Sequence, residues 1–406
     1  MKRTLLVLSL LLVNASAMAG APNASSVKAI ADANNRFCLD LYRQVQGETG
    51  NLAFSPYSIS SALAMTYAGA RGRTEEEMAS VLHFPFGQDS THAAFASLRK
   101  TLLEMTSTPG CTLSVANRLW GQEGTHFLKP FLETIRDAYG AELERLDFVR
   151  KSEDSRRRIN DWTLEQTRGM IPDLLPSGSI TDLTRLVLTN AIYFKARWQE
   201  QFKGRDTHDE SFHPSVAETL KVLTMHQRGS YPYAHGDGVQ VLVMDYVGNR
   251  QSMVILLPDA IDGLGKLESN LSSGKIASWI AAVQDTTVVV SLPRFRATSM
   301  FSLAAALSGM GMPSAFRLPD ADFSGMDGER DLFISAVIHK TVVDVAEKGT
   351  EAAAATAVAM IATGGELGFS PVRPIFFTAD HPFLFLIRDD KTGCILFIGR
   401  VTNPLL

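Results

Sequence analysis

The chain has 406 residues, 45% of them hydrophobic and 20% charged, with a formal net charge of -4 and a sequence pI near 6.2. That is the composition of a globular protein with enough material for a large core. It offers no global electrostatic pull toward nucleic acid or an anionic membrane surface, and neither is expected as a partner.

At the N-terminus, Lys2 and Arg3 precede an apolar run from Leu5 to Val13, and Ala17-Met18-Ala19 supplies the small residues that signal peptidase favours. The run is too short to cross roughly 30 Å of hydrocarbon as a helix. Residues 1-19 therefore read as a signal peptide, and the expected destination is outside the cytoplasm, secreted to the exterior or the periplasm. No linker or internal repeat divides residues 20-406, which are expected to form a single domain.

Residues 27 to 46 carry a helical pattern. Ser55 before Pro56 announces a second helix, as an N-cap residue followed by proline at the first helical position, with Ile59, Leu63 and Met65 on its apolar face. Thr74 with Glu77 three residues on predicts a capping box opening a third helix that runs toward Leu82.

From Thr184 to Trp198 the pattern turns to β-branched and aromatic residues and predicts a long strand, its apolar face interrupted by Asn190. Val239 to Tyr246 and Ser252 to Leu257 flank Gly248-Asn249 and predict a hairpin. Val288 to Phe295, Leu332 to Val345, Phe383 to Ile387 and Cys394 to Val401 predict further strands. The fold class is α+β. Cys38, Cys111 and Cys394 are widely spaced and odd in number, which favours buried thiols and leaves one disulfide among them open.

Thr350 to Gly365 is the compositional anomaly, rich in alanine with a single charge, Glu351. It lacks the apolar stripe of a packed helix and ends in Gly364-Gly365. With period two, one face carries Thr350, Ala352, Ala354, Thr356, Val358 and Met360, with no charge on it. Small uncharged side chains cost little when exposed and can also enter a narrow slot between strands. A flexible surface linker is the plain alternative on composition alone.

The flanking residues decide between them. His339-Lys340, followed by Glu347-Lys348-Gly349-Thr350-Glu351-Ala352-Ala353-Ala354-Ala355-Thr356-Ala357, closely resembles the hinge of the serpin family. The resemblance extends to Asn51-Leu52-Ala53-Phe54-Ser55-Pro56 with Ser58 and Ser61, to Leu188-Thr189-Asn190-Ala191-Ile192-Tyr193-Phe194-Lys195, to Ala379-Asp380-His381-Pro382-Phe383 and to Gly399-Arg400-Val401. It implies three β-sheets with eight or nine helices and an exposed reactive-centre loop at about residues 347-378.

It also implies a metastable protein that inhibits a serine protease as a suicide substrate. The protease cleaves the loop, is held as an acyl-enzyme, and is carried across the molecule as the loop inserts into the central sheet. In this family pattern the hinge is Glu347, Gly349, Thr350, Ala352, Ala354 and Thr356, whose small residues match the inhibitory members. Ser55, Ser58, Asn190 and His339 match the polar cluster beneath the opening sheet, Trp198 matches a tryptophan near the point of loop entry, and Glu347 is expected to pair with Arg294.

Counting from the hinge glutamate places the reactive bond at Thr363-Gly364, although the loop is several residues longer than is common, so that Met360, Glu366, Leu367 and Phe369 are alternatives. No Lys or Arg lies between Gly349 and Val372, which removes the cation a trypsin-like pocket requires. An elastase-like or subtilisin-like target fits Val358 to Thr363, and a chymotrypsin-like one would use Leu367 or Phe369. The inhibitor is expected to act as a monomer without a cofactor. The stretch corresponding to a heparin-binding helix offers only Arg99 and Lys100, and Arg156, Arg157 and Arg158 read as a solvated helix face.

An enzyme is not expected, since there is no G-x-S-x-G elbow, H-E-x-x-H or P-loop. His208 and His213 flank Asp209 and Glu210, but that spacing in a polar segment is poor metal geometry, and no metal site is expected. The rival function is a serpin that does not inhibit but serves as a binding or storage protein.

Overall fold

The structure is a computed structural model that describes residues 24-350 and 373-406. Its strands in chain order are β1 (Leu52–Phe54), β2 (Cys111–Gln122), β3 (Leu143–Leu146), β4 (Leu186–Arg197), β5 (Thr207–Ser215), β6 (Glu218–Gly236), β7 (Val239–Asp245) and β8 (Gln251–Pro258). There follow β9 (Gln284–Pro293), β10 (Phe295–Ser302), β11 (Ala336–Ala346), β12 (Gly349–Thr350), β13 (Ile375–Thr378), β14 (Phe383–Asp389) and β15 (Ile395–Val401).

Six strands form one sheet in the order β10-β11-β12-β4-β2-β3, and nine form a second. The second sheet turns on the long strand β6, which pairs with β5 and β9 over its first part and with β7 at its end. Its two parts, β5-β6-β9-β13 and β1-β15-β14-β8-β7, are joined through the short β6–β7 pairing, so that the three sheets the resemblance implies appear as two hydrogen-bonded ones. Gly399 allows β1 to approach β15, because a Cβ there would lie 2.5 Å from the Leu52 carbonyl oxygen and the Phe385 ring.

Helices occupy much of the N-terminal part, and ten α-helical segments are present among the described residues, some of a single turn such as Ser324–Asp327. The helix Pro56–Tyr67 starts as the sequence predicts: Ser55 is extended and its hydroxyl accepts from the Ser58 N–H. All its residues are buried, and it runs under β2 and β4 with its other side on β15. This helix supports the floor of the six-stranded sheet from within the core.

The third helix, Gly72–Val81, has Arg71 as its N-cap, not Thr74. The predicted capping box is corrected by tertiary contacts. Thr74 lies inside the helix, where its buried hydroxyl accepts from the Asp322 N–H, and Glu77 accepts from Ser314. The predicted strand from Leu332 begins later, at Ala336, and the run from Val288 to Phe295 divides at Arg294. Cys38, Cys111 and Cys394 are all free and buried.

Candidate functional site

The site lies where the chain leaves β11 and turns back into its own sheet. Below that point β11 and β4 pair directly and in parallel, from Ala336 with Val187 to Thr341 with Ile192. Above it, the two-residue strand β12 sits between them, antiparallel to both: Thr350 pairs with Val345 and with Ala196, and Gly349 with Ala346 and with Arg197. Gly349 has φ near +144°, and a Cβ there would lie 2.0 Å from the Ala196 carbonyl oxygen. Only glycine fits both the backbone and the space.

Trp198 holds this turn from below. Its indole N–H donates to the Ala346 carbonyl and its backbone N–H to the Lys348 carbonyl, both at 3.0 Å, while the Phe202 N–H reaches the Glu347 carbonyl at 3.0 Å. The indole stacks on Tyr246 with centroids 4.6 Å apart and planes 7° from parallel. The Tyr246 hydroxyl in turn shares a 2.6 Å hydrogen bond with the Thr350 hydroxyl.

Glu347 closes the turn from the side. Its Oε1 accepts from Arg294 Nε at 2.9 Å, from Arg294 Nη2, and from the Thr207 hydroxyl at 2.8 Å. Burial pushes the Glu347 carboxyl up, and the hydrogen bonds from Arg294 and Thr207 outweigh it, so the group sits below its ordinary range and stays ionised. The expected contact between Glu347 and Arg294 is present.

Six residues below the Thr350 pairings on both strands, a polar cluster crosses the β4–β11 seam. His339 and Asn190 face each other as paired residues, and His339 Nδ1 meets Asn190 Oδ1. His339 Nε2 accepts from the Ser55 N–H at 3.1 Å and from the Thr341 hydroxyl at 2.6 Å. Those acceptor roles place the ring proton on Nδ1, where it donates to Asn190. The Asn190 amide donates to the Ser58 hydroxyl at 2.6 Å and to Asn117 Oδ1 at 2.5 Å. Burial drives His339 down to about 3, so the imidazole is neutral.

Ser55, Ser58, Asn190 and His339 thus come together, as do Trp198, Arg294, Glu347, Gly349 and Thr350 in the turn above. Ala352, Ala354, Thr356 and the Thr363-Gly364 bond lie outside the described residues, as does the segment 1-19. Thr207, Phe202, Tyr246, Asn117 and Thr341 were not singled out from sequence. Tyr246 ends a predicted strand and Thr341 lies two residues beyond His339, but neither position carries a signal that distinguishes it from ordinary strand residues.

Four of the basic residues away from the site have partners. Arg99 donates to the Ala138 carbonyl. Arg156 is held by Glu153 and the Leu175 carbonyl, Arg157 pairs with Glu153, and Arg158 shares Glu144 with Arg118. His208 does not gather with His213, whose ring contacts Thr219 at 3.1 Å. Instead His208, Glu210 and His226 form a group of three with one potential ligand atom each, all within 4.8 Å of one another. The sequence reading missed His226 because the group is built across two strands.

The comparisons agree with this geometry. Residues 32–404 match the family model described as serpin (serine protease inhibitor). A leukocyte elastase inhibitor of Sus scrofa is 43% identical over 92% of this chain and 98% of its own length. An uncharacterized serpin-like protein of Thermococcus kodakarensis is 42% identical over 93% of this chain and 86% of its own. The crystal structure of Serpin48, described as a highly specific serpin of the insect Tenebrio molitor, superposes with a TM-score of 0.81 at 33% identity, covering 93% of this chain and 98% of that one.

The chain is a member of the serpin family of serine protease inhibitors, with the α+β serpin fold, and several of its relatives are leukocyte elastase inhibitors. The comparisons overturn the expectation of a secreted protein, whether extracellular or periplasmic. The leukocyte elastase inhibitors that match this chain are intracellular serpins.

Proposed function

We propose that this serpin inhibits serine proteases as a suicide substrate, with an elastase-like or subtilisin-like target preferred and a chymotrypsin-like one as the alternative. The protease serine attacks the carbonyl of Thr363, the peptide bond to Gly364 breaks with release of the Gly364 amine, and the ester persists as the loop enters the six-stranded sheet. The acting unit is a monomer of one domain, without a polyanionic cofactor.

What carries the reading is the seating of Gly349 and Thr350 between β11 and β4. Carried downward in the same register, Ala352 would meet Val343 and Phe194, Ala354 would meet Thr341 and Ile192, and Thr356 would meet His339 and Asn190. Residues directly opposite in an antiparallel pair share a face, and Val345, Val343, Thr341, His339 and Val337 are all buried. The uncharged face, from Thr350 to Met360, is therefore the one that would enter the core. Ala359 would reach Ala336, the first residue of β11, so Thr363 would stand just beyond the far end of the sheet.

A binding or storage role on the same fold would tolerate a bulky or charged residue at Thr350, Ala352 or Ala354, and none is present. The test is to mix the chain with elastase, subtilisin, chymotrypsin and trypsin. An SDS-stable complex with one of the first three and none with trypsin is expected, and the mass of the released peptide fixes the bond. Cleavage within 358–369 without any stable complex, and with no rise in melting temperature, would overturn the reading.

A further inference from the structure

Next to the turn that holds Glu347, β5 and β6 place three nitrogen and oxygen donors on one face. His208 pairs with Thr224 and Glu210 with Val222, and His226 follows Thr224 by two residues on β6. Alternation along each strand puts all three side chains on the same side. The two imidazoles stack with centroids 4.3 Å apart and planes 15° from parallel. Glu210 Oε1 lies 3.4 Å from His208 Nε2 and 3.5 Å from His226 Nε2.

We propose that His208, Glu210 and His226 form a binding site for a first-row divalent cation of the Zn2+ type, with a further coordination position open to water. Two imidazoles and a carboxylate are the donor set such an ion selects. With bonds of about 2.0–2.1 Å, the edge of a coordination tetrahedron is roughly 3.4 Å, close to both oxygen–nitrogen separations. A hydrogen bond would bring those atoms nearer.

The second imidazole is oriented from behind. His226 Nδ1 lies 3.0 Å from the hydroxyl of Ser291 on β9, while its buried Nε2 has no hydrogen-bond partner. With Nδ1–H donating to Ser291, the lone pair is left on Nε2, 3.5 Å from Glu210 Oε1, and a hydrogen bond from the remote ring nitrogen is what fixes tautomer and ring orientation in metal-bound histidines. The His208 side chain is 61% exposed, so an ion can enter from solvent.

The test uses the full chain without a polyhistidine tag, stripped of metal and titrated with Zn2+ in competition with a chromophoric chelator. One equivalent is expected to bind. His208→Ala and Glu210→Gln are each expected to weaken that equivalent by at least about 10-fold, and Ser291→Ala by about 10-fold through loss of orientation. Zn2+ should raise the melting temperature of the wild-type chain and leave that of the His208→Ala/His226→Ala variant unmoved. Because His208 is exposed, its single variant reads out the site even if changes at His226 disturb folding. Absence of a stoichiometric ion in the wild-type chain, or equal affinity in wild type and His208→Ala, would overturn the proposal.

Discussion

Replacing Ala354 by arginine tests loop insertion at the position where the sheet is least able to accept a charge. In the register set by Gly349 and Thr350, residue 354 would enter between Thr341 and Ile192, which are 0% and 1% exposed. No carboxylate lies opposite to pair with the guanidinium, and burying an unpaired charge costs several kcal/mol. If only about 3 kcal/mol of that cost is felt in the rate-limiting part of insertion, the step slows about 150-fold. In the proposed mechanism insertion competes with hydrolysis of the acyl-enzyme, so Ala354→Arg should turn an inhibitor into a substrate. The assay titrates active protease with increasing amounts of the chain and follows the SDS-stable complex. Glu351→Arg is the control, because residue 351 would lie on the opposite face between half-buried Asp344 and Lys195, and it should leave the stoichiometry within a few-fold. Unchanged stoichiometry for Ala354→Arg, or equal damage from Glu351→Arg, would refute the reasoning.

Glu347→Ala removes the acceptor of both Arg294 and Thr207; a half-exposed ion pair contributes up to about 1 kcal/mol, so the melting temperature should fall by about 1–2 °C and the stoichiometry of inhibition should change. If neither moves, the clamp is inert. Gly349→Ala should dislodge β12, since its Cβ has no room beneath the Ala196 carbonyl, and limited proteolysis near residue 350 should quicken; an unchanged cleavage rate would count against the seating. His339 is held near 3 against an ordinary 6.5, so the unfolded chain takes up a proton that the folded one refuses. Its contribution to stability is complete above pH 6.5 and is lost as pH falls toward about 3. Denaturation midpoints across that range should fall more steeply for wild type than for His339→Gln, and equal slopes would exclude this histidine as the cause.

The sequence carried the fold well where local rules and tertiary demands coincide. Ser55-Pro56 caps its helix as read, and the run through Asn190 is a strand, because propensity and burial agree there. Thr74 and Glu77 show the opposite case. Their spacing satisfies a local motif, but both side chains are drawn to Asp322 and Ser314, more than two hundred residues away. The turn at Glu347 to Thr350 drew notice because the segment it opens is compositionally odd, and that signal is local; Ala352, Ala354 and Thr356 lie outside the described residues. The grip on it was only partly so: Thr207, Phe202 and Tyr246 reach Glu347 and Thr350 from three different segments, and nothing in their own neighbourhoods announces it. His226 escaped for the same reason, since its companions lie on the other strand of a hairpin.

The seam suggests where the driving force for insertion resides. Each inserted residue gains a net hydrogen-bond stabilisation of about 1 kcal/mol and loses about 1–2 kcal/mol of conformational freedom, so the backbone alone is near neutral or unfavourable. Insertion must also replace the parallel pairs from Ala336 with Val187 to Thr341 with Ile192, although two antiparallel ladders are slightly better per residue than one parallel ladder. Ala352 and Ala354 bury little apolar surface and can contribute little. In the extended register Thr356 would come beside His339 and Asn190, bringing a hydroxyl to the polar groups that an opening seam would part. Beyond it, Val358 and Met360 would meet Leu188 and Leu186, and burying such side chains stabilises by about 1.5–3 kcal/mol each. In the proposed insertion the small residues of the hinge would therefore keep the first half of the path unobstructed, and the larger ones would make the second half favourable. On the proposed mechanism, a protease attached near Thr363 would be moved by the end of the strand that gains most from burial, which gives a physical reason for a cleavage site in the stretch after the alanines and not within them.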